Sequence, residues 1–396
     1  MQNIYKRLVL QPNKDKSLLR RHPWLFSGAI QIKDNNIEEG DIVEVFDNKN
    51  NYLATGYYQN ETIAVKVLTF NQQIIDKEFI TKRIRAAILY RQSFNFFNDK
   101  ANSIFRLINA EGDFLPGLIA DYYDENIVLQ FHSVGMYKIK DLIVTTLIEL
   151  LPNTKSIFSK SSSTMPKKAN IGLKDEFLFG SKKDDFFVAK ENDCKFLIDY
   201  IQGQKTGFFI DQRSNRQLLS TLSSGKIVLN CFGYTGGFSI AALKGGAAYV
   251  ETLDVSKRAL EICDKNIALN NFHNHQSFVV DVLEYLDKIP ENKYNLIILD
   301  PPAFAKHNRD LRNALKGYST INIKAMQKIA EGGLLFTFSC SQAVSKDDFL
   351  TMLFSCAAIT KRNIRIVRRL PHNFDHPQSI FHPEGEYLKG FLLYIE

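Results

Sequence analysis

From residue 226 onward, short apolar segments alternate with helix-like segments, and this alternation restricts the fold more than any other feature of the chain. Strands are indicated at 226–232, 249–256 and 294–300, and a helix-like segment follows each of them. Such alternation is typical of a doubly wound, mostly parallel sheet. We therefore expect an α/β domain in the part of the chain after about residue 190.

The preceding part of the chain divides into two blocks with different patterns. Residues 1–72 contain short alternating strands, and the run Asp-Asn-Lys-Asn-Asn at 47–51 predicts a hairpin between two of them. Residues 73–190 begin with helical spacing, continue with strand-like segments, and become polar and strand-poor from 154. We expect three domains: 1–72, small and all-β; 73–190, α+β; and 191–396, α/β.

Composition limits the class of protein. The chain has 396 residues, a formal net charge of +7 and 45% hydrophobic residues, which favours a globular protein with a mild preference for polyanions. No apolar run is long enough to cross a bilayer, and the first residues lack a signal-peptide core. Five cysteines without a CxxC pair indicate reduced thiols and no zinc site. We expect a cytoplasmic protein with no membrane partner and no metal.

The ends of the predicted strands carry a set of residues suited to binding a nucleoside. Segment 230–238 is a glycine-rich turn that opens a helix, yet it lacks both GxGxxG and a Walker lysine, so a dinucleotide or triphosphate is disfavoured. Asp254 follows Gly233 by 21 residues, where an acid holds ribose hydroxyls. Asp281 ends the third strand and could contact an adenine, and Asp300 ends the fourth, before two prolines.

This order of strand ends resembles the class I S-adenosyl-L-methionine-dependent methyltransferases over about 193–396. The resemblance implies a Rossmann-like domain that uses S-adenosyl-L-methionine as its cofactor. It also implies that Asp254 contacts the ribose, Asp281 the adenine, and Asp300 the region of the sulfonium. The other cofactor-binding residues implied by the resemblance are Gln212, Arg213, Phe232, Gly233, Thr235 and Gly236.

Cys340 ends the predicted strand that follows the Asp-Pro-Pro strand. A single cysteine is commonly a small buried apolar residue. At a strand end beside a cofactor, however, a partly exposed thiolate can act as a nucleophile. Carbon 5 of cytosine is too weak a nucleophile to take a methyl group directly, whereas a thiolate added at carbon 6 would activate it. Asp300 could stabilise the charge near N3. The cysteines that we assign a structural role are Cys194, Cys231, Cys263 and Cys356.

Nearly the whole chain resembles the large-subunit ribosomal RNA cytosine-5 methyltransferases that carry an N-terminal PUA domain. The segments that carry this resemblance are KSLLRRHPWLFSGAI, RLINAEGDFLPGLIADYY, GQKTGFFIDQRSNR, LDPPAFAK, FSCS and HPEGEYLKGFLLYI. The resemblance implies a small, β-barrel-like RNA-binding PUA domain at 1–72, a central α+β domain at 73–190 and the methyltransferase domain at 191–396. It implies large-subunit rRNA as the partner, and a homodimer is compatible with it.

One departure from better-known RNA cytosine-5 methyltransferases leaves the modified base open. Those enzymes carry a second cysteine just after the Asp-Pro pair, which assists product release, whereas this chain has Ala303 and Phe304. Either Asp300 or water assists release here, or the base is a guanine methylated at N7 or N2 without a nucleophile. A non-catalytic RNA-binding assembly factor is a third interpretation.

Two groups of residues are predicted to contact the RNA. Arg20, Arg21 and Trp24 form a basic and aromatic cluster that could bind phosphate and stack on a base, although a solvated loop with a packed tryptophan explains it nearly as well. A base buried in a duplex cannot reach such a site, so the target is expected in a loop or flipped out. The second predicted group follows the fourth strand and consists of Pro301, Pro302, Phe304 and Lys306.

Overall fold

The structure is a computed structural model that describes residues 5–166, 172–182, 184–305 and 308–396. The chain forms two compact units, each built from three separate segments. The first unit comprises Met1–Ala189, Ile198–Gly207 and Phe374–Gly385. The second comprises Lys190–Leu197, Phe208–Asn373 and Glu386–Glu396. The segment Phe374–Gly385 therefore belongs to the first unit, although it follows most of the second in sequence.

The N-terminal part of the first unit is a six-stranded sheet with one short helix. Its elements are β1 (Lys6–Leu10), α1 (Lys16–Leu19), β2 (Trp24–Phe26), β3 (Ile30–Lys33), β4 (Ile42–Phe46), β5 (Tyr52–Tyr58) and β6 (Ile63–Thr69), in the sheet order β2-β6-β5-β4-β1-β3. The predicted hairpin is β4–β5. Its turn is held by Asp47, whose Oδ1 accepts hydrogen bonds from the backbone N–H groups of Lys49 and Asn51 at 2.9 and 2.7 Å.

The rest of the first unit packs helices on a five-stranded sheet. Its main elements are α2 (Lys77–Ser93), β7 (Ile104–Asn109), β8 (Leu118–Tyr123), β9 (Asn126–Phe131), α3 (Val134–Lys138), α4 (Lys140–Leu150), β10 (Ser156–Ser159) and β11 (Glu176–Phe179), with sheet order β11-β10-β9-β8-β7. Helix α2 begins where Asp76 accepts a hydrogen bond from the Phe79 N–H. Its buried residues, among them Ile80, Ile84 and Ile88, have the helical spacing predicted from sequence.

The prediction that 154–190 is strand-poor is wrong. Strand β10 pairs in parallel with β9, and β11 pairs antiparallel with β10. A third strand, β12 (Phe187–Glu191), forms a two-stranded sheet with β13 (Cys194–Ile198). These strands are four or five residues long, and polar residues interrupt their alternation, so tertiary pairing decides their conformation. Within this region the stretch SKSSSTMPKK at 159–168 is typical of an exposed loop, and its residues 167 and 168 lie outside the described residues.

Segment Phe374–Gly385 is held in the first unit by a buried arginine. Arg91 donates to both carboxylate oxygens of Asp113, at 2.5 and 2.8 Å, and to the backbone carbonyl of Asp375 at 2.8 Å. The guanidinium is fully buried, and removing one partner of such a pair would leave an uncompensated charge in the interior. This link between residues distant in sequence is not visible in any local pattern.

The second unit contains the seven-stranded sheet expected from the alternation. After β13 its elements are α5 (Arg213–Thr221), β14 (Ile227–Cys231), α6 (Gly237–Lys244), β15 (Tyr249–Asp254), α7 (Lys257–Leu269), β16 (His275–Val279), α8 (Val282–Lys288), β17 (Leu296–Leu299), α9 (Leu311–Lys328), β18 (Gly333–Ser339), α10 (Lys346–Thr360), β19 (Ile364–Arg369) and β20 (Lys389–Ile395). The predicted α/β class is confirmed.

The strand order of this sheet identifies where a ligand binds. The order is β16-β15-β14-β17-β18-β20-β19, and β20 runs antiparallel to both of its neighbours. The chain winds outward from β14 in one direction and then returns to start β17 on the other side of β14. A crevice therefore forms at the carboxyl ends of β14 and β17, where open α/β sheets bind their ligands.

No helix in the described part of the chain is both long and apolar enough to cross a membrane.

Candidate active site

The two strand ends at the crevice are direct neighbours. Cys231 at the end of β14 pairs with Leu299 at the end of β17. The glycine-rich loop that follows Cys231 and the Asp300-Pro301 segment that follows Leu299 therefore leave the sheet side by side. The sequence prediction placed both at strand ends, and the parallel pairing brings them to the same edge.

The loop after β14 has an unusual backbone. Phe232, Tyr234 and Gly236 all have positive φ angles, of 60°, 48° and 84°. Left-handed backbone is uncommon for aromatic residues and costs free energy. The loop turns sharply enough for the Tyr234 N–H to reach the Asp254 carboxylate at 2.9 Å. A Cβ atom at Gly233 would lie 2.2 Å from the Thr252 side chain, so this position has room only for glycine.

Gly236 provides a stringent test of this loop. A Cβ atom there would lie 2.4 Å from the Cys263 sulfur. In addition, the φ of +84° at this position strains the backbone of any residue other than glycine. Gly225 has a similar φ of +70° but no atom within 4 Å of the same position. We expect Gly225→Ala to cost about 1–2 kcal/mol in the free energy of unfolding from backbone strain alone. Gly236→Ala should cost about 1–3 kcal/mol more, because of the steric overlap.

The two glycine variants are compared by urea unfolding and by calorimetric titration with S-adenosyl-L-methionine. We expect Gly236→Ala to weaken cofactor binding at least about tenfold, which is about 1.4 kcal/mol, and Gly225→Ala to leave it unchanged. Equal unfolding costs for the two variants would show that the Cys263 contact does not restrict the loop.

Asp254 both anchors the loop and keeps binding capacity. One carboxylate oxygen accepts the Tyr234 N–H, and the other accepts the Ser256 N–H at 2.8 Å. A carboxylate has about four acceptor sites, so two remain for the hydroxyl groups of a ribose. The side chain is partly exposed at the end of β15, which is the position predicted from sequence.

Asp281 is the N-cap of helix α8. Its Oδ1 accepts hydrogen bonds from the backbone N–H groups of Leu283 and Glu284, at 2.8 and 3.2 Å. Its Oδ2 has no hydrogen-bond partner within the described residues. The side chain is exposed, and the predicted contact with an adenine stays a prediction.

Asp300 lies among charged and polar side chains that the sequence pattern did not fully predict. Desolvation and the nearby charge of Asp211 raise the pKa of its carboxyl to about 7, although a hydrogen bond from Gln212 and the charge of Arg216 act in the opposite direction. By surface area the side chain is only partly buried. A carboxyl with this pKa is present in both protonation states near neutral pH, so it can donate or accept a proton.

The residues around Asp300 are fixed by their own contacts. The Gln212 amide oxygen accepts a hydrogen bond from Asn215 at 2.6 Å, which directs the Gln212 NH₂ group to Asp300. Arg216 forms two hydrogen bonds of 2.6 Å with Glu191. Gln212 and Arg213 are buried at the start of α5, and Thr235 is buried in the loop after β14.

Cys340 follows β18, the strand next to β17. Its sulfur lies 3.8 Å from the backbone carbonyl oxygen of Pro301. All five cysteines lie within the described residues, and Cys340 is the one that is not buried. Burial raises the pKa of the Cys263 thiol to about 12, and the pKa of Cys231 is higher still. Cys340 is therefore the most accessible of the five thiols.

Lys389 is a feature of this site that sequence reasoning missed. It begins β20 and pairs with Ser339, the residue before Cys340. Its Nζ donates hydrogen bonds to the carbonyl oxygens of Ser341 and Tyr387, at 2.6 and 2.7 Å. Burial lowers the pKa of the Lys389 ammonium to about 8, while electrostatic interaction with Cys340 favours its charged form. Because β18 and β20 are 50 residues apart along the chain, only their pairing reveals this proximity.

The residues after Asp300 differ in their surroundings. Pro301 is buried, and Pro302 is exposed. The Phe304 ring is partly buried, with its centroid 4.6 Å from that of Tyr318, which supports a packing role and leaves base stacking as a prediction. Lys306 lies outside the described residues.

The predicted Arg20, Arg21 and Trp24 cluster belongs to the first unit. Arg20 and Arg21 are exposed. The Trp24 indole N–H donates to Glu111 at 2.9 Å, and the ring centroid lies 4.4 Å from that of His382 in an edge-on arrangement. The indole is thus held by contacts within the protein, and its predicted contact with RNA stays a prediction.

One group of potential metal ligands exists among the described residues, namely Cys263, Asp264 and His275. The high pKa of the Cys263 thiol opposes the thiolate form that a metal requires. The His275 Nε2 also lies 2.7 Å from the Thr252 hydroxyl oxygen, so this nitrogen already has a partner. The chemistry of the group does not favour a metal, and the predicted absence of one stays a prediction.

The crevice fits S-adenosyl-L-methionine. Its loop lies tightly against Thr252 and Cys263 at Gly233 and Gly236, which lets the backbone turn sharply at the strand ends where the ligand binds. Asp254 offers acceptors for a ribose. The mutual repulsion of Asp211 and Asp300 would be relieved by a ligand that carries a positive charge, as a sulfonium does.

Comparisons with known proteins agree with this fold. Residues 8–70 match the family of PUA-like domains, and residues 172–381 match the S-adenosylmethionine-dependent methyltransferases. Two solved structures share the fold at 23% identity, each aligned over 98% of this chain and 99% of the other. One is a SAM-dependent methyltransferase from Streptococcus mutans, with a TM-score of 0.84, and the other is a methyltransferase solved with SAH, with a TM-score of 0.85.

The fold and the crevice thus define a methyltransferase that uses S-adenosyl-L-methionine. A relative from Aeromonas salmonicida is 38% identical over 98% of both chains, and one from Photobacterium profundum is 37% identical over 98% of this chain and 99% of its own. Both are named Ribosomal RNA large subunit methyltransferase I. This chain belongs to that family, which confirms the family resemblance found in the sequence.

Proposed function

We propose that this protein methylates carbon 5 of a cytosine in large-subunit ribosomal RNA, with Cys340 as the nucleophile. The observation that carries the proposal is the position of Cys340, which is the one cysteine that is not buried and lies 3.8 Å from the Pro301 carbonyl. The names of the family members support rRNA as the substrate. We further propose the three domains at 1–72, 73–190 and 191–396, and a cytoplasmic location.

Cys340 would begin the reaction by adding to the base. Its thiolate forms a bond to carbon 6 of cytosine, and the electrons of the C5–C6 double bond become available at carbon 5. Asp300, when protonated, would donate a hydrogen bond at N3 and stabilise the negative charge that develops on the ring. Its pKa of about 7 makes the protonated form available near neutral pH.

S-adenosyl-L-methionine, when bound, supplies the electrophilic methyl group that carbon 5 accepts. A base must then remove the proton from carbon 5, after which the double bond re-forms and the Cys340 thiolate leaves. Asp300 in its ionised form, or a water molecule, would take this proton, because Ala303 stands where related enzymes have a second cysteine. Gln212 would keep the Asp300 carboxyl in place through its hydrogen bond.

Lys389 would act as a positioning residue for the nucleophile. A buried ammonium next to a thiol stabilises the thiolate and lowers the pKa of the thiol. Two backbone carbonyls hold the Lys389 amine, so its charge stays near Cys340. By favouring the Cys340 thiolate at neutral pH, the Lys389 ammonium would increase the fraction of enzyme molecules that can react.

The proposal is tested with rRNA that is transcribed with cytidine triphosphate carrying tritium at carbon 5. Methylation at this carbon releases one tritium for each methyl group transferred, because the proton on carbon 5 is replaced. We expect equal amounts of released tritium and of labelled methyl in RNA. Methyl transfer without tritium release, with 7- or N2-methylguanosine in the nuclease digest, would replace the cytosine assignment by guanine chemistry. If no RNA is labelled although the protein binds rRNA, the protein is an assembly factor.

A further inference from the structure

An exposed arginine in the first unit lies over two aromatic rings. The Arg21 guanidinium carbon is 5.1 Å from the Phe70 ring centroid and 5.8 Å from that of Phe381. Arg21 has a left-handed backbone with a φ of 62°, which is uncommon for arginine. Phe381 is exposed, and its neighbour Ile380 is 90% exposed. The exposed Phe381 ring thus adjoins the Arg21 guanidinium at the surface.

A second arginine of the same unit has a similar arrangement. Arg83 on α2 lies 5.2 Å from the Phe79 ring centroid and 5.5 Å from that of Phe114. It also donates a hydrogen bond to the Leu68 carbonyl at 3.2 Å, so its position is defined. Phe114 is half-exposed, and its backbone is left-handed with a φ of 58°. Each arginine therefore lies against a ring that reaches the solvent, Phe381 for Arg21 and Phe114 for Arg83.

The two guanidinium groups are within electrostatic reach of each other. Burial lowers the pKa of the Arg83 guanidinium, and the charge of Arg21 lowers it further. Neither arginine forms an ion pair with a carboxylate within residues 5–166, 172–182, 184–305 and 308–396. Because arginine stays charged under physiological conditions, their repulsion persists until an anion lies between or beside them.

The aromatic surface continues along α2 towards its end. Tyr90 and Phe94 follow Arg83 by seven and eleven residues, which are close to two and three helical turns, so they share its face. Phe94 stacks on Phe374 with ring centroids 5.2 Å apart and an interplanar angle of 18°. The Tyr90 hydroxyl donates to the Phe374 carbonyl at 2.9 Å. Both phenylalanine rings are exposed.

We propose that this surface, defined by Arg21, Arg83, Phe114, Phe374 and Phe381, binds an unpaired segment of the substrate rRNA. The guanidinium groups would contact phosphates, and the exposed rings would stack on bases, as in other single-strand binding surfaces. The inference rests on the proposed function and extends it from the methylated base to the RNA around it. It also gives segment Phe374–Gly385 a role, since this segment supplies two of the five residues.

RNA fits this surface better than a protein partner does. Two arginines that repel each other and have no carboxylate partner among the described residues favour a polyanion, and the chain carries a net charge of +7. Stacking on exposed rings tolerates any base sequence. A protein partner would have to bring carboxylates to both arginines and an apolar surface to the rings.

The test is the double variant Arg21→Gln and Arg83→Gln, compared with Lys82→Gln and Arg85→Gln. The control removes the same total charge, but from two positions of α2 that lie about 100° and 200° around the helix from Arg83. We expect the first variant to bind rRNA at least about tenfold more weakly, with a salt dependence of binding reduced by about 1–2 in slope. The control should stay within about twofold of the wild type, and all three proteins should bind cofactor equally.

A second variant removes a ring without disturbing the backbone. Asparagine tolerates the left-handed conformation of Phe114, so Phe114→Asn should fold normally and still weaken rRNA binding several-fold, since stacking on a base is worth about 1–3 kcal/mol. Wild-type affinity in both this variant and the arginine pair would overturn the proposal.

The remaining outcomes separate this inference from the proposed function. Equal losses of rRNA affinity in the arginine variant and its control would show a general charge effect and would overturn the proposed RNA-binding surface. Unchanged binding to naked rRNA with weaker binding to a ribosomal particle would assign the surface to a protein. If the wild type itself neither binds nor methylates rRNA, the proposed function fails rather than the surface.

Discussion

Replacing Cys340 with alanine is expected to reduce methyl transfer to rRNA by about a thousandfold or more. Without the nucleophile the covalent adduct with the base cannot form, so carbon 5 is not activated. The side chain is small and only partly buried, so the fold should persist. Binding of S-adenosyl-L-methionine should stay within about twofold, because the cofactor crevice lies at the ends of β14 and β17. Labelled cofactor with unmodified rRNA measures the rate, and calorimetry measures the binding.

The matched control is Cys356→Ala. Cys356 is buried on α10, where its sulfur contacts Met352 and Ser319, so its loss should lower stability slightly and leave the rate per folded molecule unchanged. Cys340→Ala with wild-type turnover would exclude the covalent route and favour guanine methylation. Loss of activity in both variants would indicate a general effect of cysteine removal.

Replacing Lys389 with methionine is expected to shift the acid limb of the rate profile to higher pH. The Lys389 ammonium is protonated below its pKa of about 8, and there it favours the Cys340 thiolate. Without it, the pKa of the thiol should rise by about 1–2, so methyl transfer at pH 7 should fall about 10- to 100-fold and recover towards pH 9. Rates from pH 6 to 9.5, with alkylation of the Cys340 thiol over the same range, measure the shift.

The stability of the Lys389 variant separates this role from a structural one. Burial holds the pKa of Lys389 below its ordinary value, so the unfolded chain binds more protons between about pH 8 and 10. In that window the wild type gains stability as pH rises, and below it the buried charge lowers stability. Lys389→Met should therefore not unfold the protein at pH 7. Lys328, which is partly exposed at the end of α9 and pairs with Glu291, should leave the profile unshifted when it is replaced in the same way. A uniform loss of rate at every pH would argue against the electrostatic role.

Local sequence patterns were enough to predict much of the second unit. Parallel strands that alternate with helices must place their carboxyl ends at one edge, so the alternation alone assigns Asp254, Asp281, Asp300 and Cys340 to strand ends. The glycine positions are also local, since backbone with positive φ and close approach requires glycine whatever surrounds it. The short strands at 156–159 and 176–179 escaped prediction, because their pairing partners, rather than their composition, make them strands.

By itself, the sequence determined the α/β class, the order of the functional strand ends and the family, because each depends on residue types at short, regular spacing. Only the tertiary structure decided which distant residues meet. The pairing of β18 with β20 brings Lys389 to Cys340, and the return of segment Phe374–Gly385 to the first unit brings Phe381 to Arg21. Such contacts depend on strand pairing and packing between segments far apart in the chain, and no local periodicity encodes them.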